Sequence, residues 1–219
     1  MPSGLGLWAL QYPGREERLG ESPCTAMEPL LQDLIQGIGA LPSVPFVLLG
    51  HSMGAAVAFE LCLHLQRHDR APVALLLSSH PPPDEVQQSR IHQSDDRQLW
   101  LEMVRVGGTP AAVLELPDLL RVLTPALRAD YQAIESHAFT TGDRIRSEVV
   151  VCVGDSDPDV PADRAGGWQR YCEREVQLRV FEGGHFYLSA HRRRLIAEAA
   201  RCLSPYLDTS AAALDASTP

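Results

Sequence analysis

Phe46-Val47-Leu48-Leu49-Gly50-His51-Ser52-Met53-Gly54-Ala55-Ala56-Val57-Ala58-Phe59-Glu60-Leu61 decides the fold. Its first four residues are an apolar run that reads as a buried strand, and its last seven read as a helix. Between them lies Gly-x-Ser-x-Gly, the pattern of a nucleophile elbow: a sharp strand-to-helix turn that holds a serine hydroxyl out at the top of a sheet. The glycines are needed because the turn is tight and neighbouring backbones approach closely. The N–H of Met53 then falls where an oxyanion would form, and the helix N-terminus adds positive potential there.

Working outward, strand and helix signals alternate. Leu7-Trp8-Ala9-Leu10 reads as a short buried strand ended by Tyr12-Pro13-Gly14, and a helix is predicted over about Met27 to Ile38, with Leu30, Leu31, Leu34, Ile35 and Ile38 on one face. Val73–Leu77, Val149–Val153 and Val176–Val180 read as further strands, and a last helix as about Ala190 to Leu203. Continuous apolar strands separated by helices imply an α/β fold whose mostly parallel sheet is covered on both faces. Residues 84–141 interrupt the rhythm with helical patterns and no strand, which reads as a lid inserted over an active site. The domain is expected to span 1–209, with 210–219 a disordered tail.

The 219 residues suit one domain, and no apolar run approaches a membrane span. No secretory signal is visible at the N-terminus. The five cysteines, Cys24, Cys62, Cys152, Cys172 and Cys202, are scattered and odd in number, as expected of reduced thiols in a cytoplasm. A net charge of −9 argues against nucleic acid as a partner. All 19 basic residues are arginine, which reads as codon bias. His64 and His68 have ligand spacing but lack the Glu of a zinc helix and a third ligand, so no metal and no cofactor is expected. Trp8, Trp100 and Trp168 read as core or lid packing.

A serine at such an elbow needs a base and an acid, which in the α/β-hydrolase order follow it as acid and then histidine. Asp155, Asp157 and Asp159 follow the Val149–Val153 strand and are all open as the acid. His185 follows the last strand after Gly183-Gly184, a turn able to aim it back at Ser52. Glu182 is a weaker acid candidate because it is so close in sequence to His185.

Pro13-Gly14-Arg15-Glu16 with Arg18, the elbow followed by Ala-Phe-Glu, Gly107-Gly108-Thr109-Pro110, Pro125–Asp130, the Gly154–Pro158 turn and Gly183-Gly184-His185-Phe186 occur in order. Together they resemble the type II thioesterases, the stand-alone editing hydrolases of nonribosomal peptide and polyketide synthases, grouped with the animal medium-chain acyl thioesterase of fatty acid synthesis. The resemblance implies an α/β-hydrolase fold and cleavage of acyl or aminoacyl thioesters from the phosphopantetheine arm of a carrier protein. It also implies Ser52 as nucleophile, His185 as base, Asp157 as orienting acid and Met53 as oxyanion donor. A monomer is expected, with an acyl or peptidyl carrier protein as partner. Arg15, Arg18 and Arg192–Arg194 are the expected docking residues. A general serine esterase, or a catalytically impaired carrier-binding homologue, is the alternative. Members of this family usually begin with a further strand and a Pro-x-Ala-Gly-Gly-like loop that supplies the second oxyanion N–H. Neither is present before Leu7, so marginal stability and slow turnover are expected.

Overall fold

The computed structural model describes the backbone of residues 5–215 and the side chains of residues 5–207. Four strands form one wholly parallel sheet in the order β1 (Val47–His51), β2 (Ala74–Ser78), β3 (Glu148–Gly154), β4 (Gln177–Phe181). The helices are α1 (Met27–Gly39), α2 (Met53–Arg67), α3 (Asp96–Arg105), α4 (Pro117–Glu135) and α5 (Leu188–Asp215).

Alternation along β2 and β3 builds two cores. Leu75, Leu77, Val149, Val151 and Val153 face α1 and α2, while Ala74, Leu76, Val150 and Cys152 face α5. Every β2 residue is buried, so both faces of that strand are covered, as the continuous apolar run demands. Helix α1 buries Met27, Leu30, Leu31, Leu34 and Ile38, an i, i+3, i+4, i+7 stripe against α2. Each such fully buried leucine contributes about 1.5–3 kcal/mol of burial free energy.

Three expectations need correction. Leu7–Leu10 is not a strand: Leu7 and Trp8 are 76% and 65% exposed, and β1 is therefore an edge strand with Leu49 half-exposed. Four apolar residues have no strand conformation without a neighbour to supply the ladder hydrogen bonds. Trp8 thus packs in no core, whereas Trp100 and Trp168 are buried. The last helix starts at Leu188, bends at the non-helical His191 and continues to Asp215, into the stretch read as a tail; residues 216–219 lie outside the described residues.

Between β2 and β3 the described elements are α3, α4 and short 3-10 turns, with no strand. Asp95 caps α3 by accepting from the Gln98 N–H at 2.8 Å, and Pro117 opens α4 where its missing N–H costs nothing. The buried Trp100 indole donates to Thr124 Oγ1 at 2.8 Å and joins the two helices. The end of α4 is fastened to the core through Glu60. This carboxylate, buried in the middle of α2, accepts from His137 Nε2, the Thr140 N–H and the Thr140 hydroxyl at 2.9, 2.8 and 2.6 Å.

The five cysteines are free, and burial pushes the thiols of Cys62, Cys152 and Cys172 up to about 12. No helix among the described residues is long and apolar enough to cross a membrane.

Candidate active site

The candidate site lies at the C-terminal end of the sheet, where three strands each deliver one of its side chains. The chain leaves β1 through Ser52, held at φ 53° and ψ −127°, and enters α2 at Met53. A non-glycine residue in such a conformation costs about 1–3 kcal/mol and persists only where the surroundings enforce it. Two constraints are visible. The Ser52 N–H donates to the Ser78 carbonyl at 2.8 Å, and Gly50 passes so close to α2 that a Cβ there would lie 2.0 Å from the Gly54 oxygen. No residue but glycine fits at position 50. As the first residue of α2, Met53 has an N–H with no intrahelical acceptor. Ser52 and Met53 are both half-buried.

Asp157 and His185 arrive on the loops after β3 and β4. These loops close against each other at Gly154, where a Cβ would meet the Gly183 oxygen at 2.3 Å. His185 Nδ1 lies 3.0 Å from Oδ2 and 3.2 Å from Oδ1 of Asp157, and His185 Nε2 lies 2.9 Å from Ser52 Oγ. A carboxylate only accepts, so Nδ1 carries the proton and Nε2 is left to accept from the serine hydroxyl. Asp157 and His185 are buried. Burial opposes the charge on Asp157, yet the hydrogen bonds from His185 and from the Asp159 N–H outweigh it. They hold the carboxyl below its ordinary value.

The three aspartates now separate. Asp155 is exposed, and its carboxylate accepts from the Gly183 N–H at 3.0 Å, tying the two loops together. Asp159 is paired with Arg105 at the end of α3, at 2.8 Å. Asp157 alone faces the imidazole. Glu182 is exposed and only its backbone carbonyl is engaged, by His191.

The inserted helices reach this site. Gly108, just past α3, lies against Phe186, the neighbour of His185: a Cβ on Gly108 would be 2.6 Å from the Phe186 ring. Arg15 pairs with Asp130 of α4 at 2.7 Å, and Arg18 with Asp33 of α1 and with Glu21. Both arginines expected at a docking surface are thus occupied in fastening the Tyr12–Arg18 turn to the body. Arg192 and Arg193 are exposed and make no ion pair among the described residues, while the Arg194 guanidinium lies 4.7 Å over the Phe181 ring. His64 and His68 are stacked on each other, and His68 Nδ1 lies 2.9 Å from the His64 carbonyl.

Sequence reasoning passed over a second layer. His51 Nδ1 lies 2.9 Å from Ser78 Oγ, which lies 2.7 Å from the Tyr187 hydroxyl. The Ser79 hydroxyl reaches the His185 carbonyl at 3.3 Å. His51 and Tyr187 both flank motif residues, but no spacing marks a pair that meets only across the sheet.

A parallel sheet with a strained serine turn after one strand and a hydroxyl–imidazole–carboxylate chain across its C-terminal edge defines an α/β-hydrolase fold. Residues 2–202 match the thioesterase domain model, and the chain belongs to that family. It is 37% identical over 92% of its length to the "Probable cadicidin biosynthesis thioesterase" of Streptomyces griseus, and 34% identical over 83% to thioesterase PikA5 of Streptomyces venezuelae. It spans 56% and 65% of the lengths of those two relatives. The structure is similar to that of the type II thioesterase BorB from the borrelidin biosynthetic cluster, with a TM-score of 0.81, 34% identity, and 89% of this chain and 80% of that one covered.

Proposed function

We propose that this chain hydrolyses acyl or aminoacyl thioesters carried on the phosphopantetheine arm of a carrier protein, as an editing or release step in polyketide or nonribosomal peptide synthesis. One observation carries the reading: in a chain of the thioesterase family, the Ser52 hydroxyl lies 2.9 Å from an imidazole whose other nitrogen is held by a buried carboxylate.

In this reading Ser52 Oγ attacks the thioester carbonyl as His185 Nε2 takes its proton. Asp157 keeps the proton of Nδ1 in place and stabilises the imidazolium. The Met53 N–H and the start of α2 receive the oxyanion. His185 then protonates the departing thiolate, and water, activated by the same nitrogen, releases the acid and frees Ser52. Residues 84–141 act as a lid, with the acyl chain beneath it. Arg192 and Arg193 are the docking residues that remain for an acidic carrier protein. The chain works as a monomer in the cytoplasm, where free thiols stay reduced.

A panel of acyl-loaded carrier proteins assayed beside the matching small acyl thioesters tests the reading. The expected result is faster turnover of the carrier-bound substrates. It should be lost selectively when Arg192 and Arg193 are changed to glutamate. Equal rates on both forms in every variant would indicate a general esterase instead.

A further inference from the structure

Two hydrogen bonds hold the His185 ring at its two nitrogens, to Asp157 and to Ser52. They fix a line through the ring, about which the imidazole can still rock. The Cβ–Cγ bond limits this rocking only as far as χ1 and χ2 are held, and two rings pack on the imidazole to hold them. The Phe186 ring lies at 5.1 Å, and the His51 ring also at 5.1 Å, tilted by 55°. Phe186 belongs to the same loop as His185 and moves with it. His51 belongs to the strand that carries the nucleophile.

We propose that His51 is a positioning residue: tethered through Ser78 to Tyr187, it is the wall that holds the His185 ring in line between Ser52 and Asp157. The tether makes the wall rigid. His51 Nδ1, Ser78 Oγ and the Tyr187 hydroxyl form one chain, and Ser78 and Tyr187 are buried. Ser78 also takes the Ser52 N–H on its carbonyl, so one residue at the end of β2 fixes the nucleophile turn, the wall and the loop after His185.

Simple packing does not account for an imidazole at this place. His51 Nε2 is buried with no hydrogen-bond partner among the described residues, an expense that a phenyl ring would avoid. The nitrogen that does have a partner is the one facing Ser78, and it sets the ring's orientation. Burial first, and then the nearby His185, lower the His51 pKa to about 4, so the wall stays uncharged while His185 gains its proton during turnover. A second cation beside the imidazolium would oppose it.

The inference rests on His185 acting as the base, and the test separates the two ideas. Wild type, His51→Ala and His51→Phe are compared by the rate of fluorophosphonate labelling of Ser52. They are also compared by kcat and KM on a small thioester, and by the far-downfield proton resonance of the His185–Asp157 hydrogen bond. Circular dichroism establishes that each variant is folded. Expected is labelling and kcat reduced about 100-fold in His51→Ala, the scale of a small misplacement of a catalytic group. KM should stay within about twofold and the downfield resonance should broaden. His51→Phe keeps the ring volume without the tether and should lose about tenfold. If His51→Phe labels at the wild-type rate, or if the resonance stays sharp in a slow variant, the positioning role is wrong. If wild type is not labelled at Ser52, the proposed function fails first and this role with it.

Discussion

The sheet's C-terminal edge and the inserted helices solve opposite problems with the same chain. At the edge, β2 and β3 are buried on both faces, and the turn after β1 and the loops after β3 and β4 are closed by glycine contacts that leave no room for adjustment. The insert leaves Leu101, Leu116, Leu119, Val122 and Leu123 between 37% and 50% exposed. The insert is held to the body at separate points: Arg105 on Asp159, Asp130 on Arg15, and His137 and Thr140 on Glu60. Apolar packing fixes a geometry; a few polar fastenings over a thin apolar layer fix a position that can be released. In the proposed function the reacting groups sit on the first and the substrate cover on the second.

The largest effect that could break this contrast is at the edge itself. Ser52→Ala and His185→Ala should each cost on the order of 10⁴-fold or more in kcat. The double variant should be little worse than either, because the pair acts as a unit. Additive losses in a steady-state assay would mean that the two side chains do not share one proton transfer. Asp157→Asn should cost up to about 10⁴-fold by reversing the imidazole tautomer. Asp155→Asn and Asp159→Asn should not, since one side chain accepts from a backbone N–H and the other pairs with Arg105.

Stability measurements sharpen the comparison. Leu76→Ala, in the fully buried β2, should cost about 2–5 kcal/mol by denaturant titration. Leu123→Ala on the half-exposed face of α4 should stay within about 0.5 kcal/mol. Similar losses at both positions would make the insert part of the same rigid core.

A smaller effect is expected from acid. The carboxyls of Glu60, Glu135 and Asp157 all sit below their ordinary values in the folded chain. Each therefore contributes stability that is present above the unfolded carboxylate range and is lost as pH falls through the folded values. Glu60 fastens the insert, so Glu60→Gln should flatten the acid limb of the stability curve and leave the neutral plateau lower. An unchanged acid limb would remove Glu60 as a pH-dependent fastening. The smallest change is expected for Arg105→Ala. Its pair with Asp159 is largely exposed, so unfolding should shift by less than about 1 kcal/mol. Its influence should appear as a change in KM for long acyl chains, and an intact KM would argue that this fastening does not govern access.

The elements that could be read from the residues are those with strong local signals. The elbow, α1, β2, β3 and the helical character of 84–141 follow from apolar period and glycine placement. Leu7–Leu10 misled because four apolar residues look the same whether or not a neighbouring strand pairs with them. Arg15 looked like free surface charge because its acidic partner is 115 residues away, and the partner that ties Arg18 to the body, Asp33, lies 15 residues away.

The sequence by itself therefore determined the parallel α/β architecture, the serine turn and the histidine loop, since each is written in a contiguous run of a few residues. The residues alone left three aspartates open, and the family resemblance implied Asp157; only the tertiary structure brings Asp157, rather than Asp155 or Asp159, against the His185 ring and sets His51, Ser78 and Tyr187 behind it. Those relations join residues at the ends of β1 and β2 with residues on the loops after β3 and β4. A hydrogen bond across a sheet depends on register and loop closure, which leave no periodic trace along the chain.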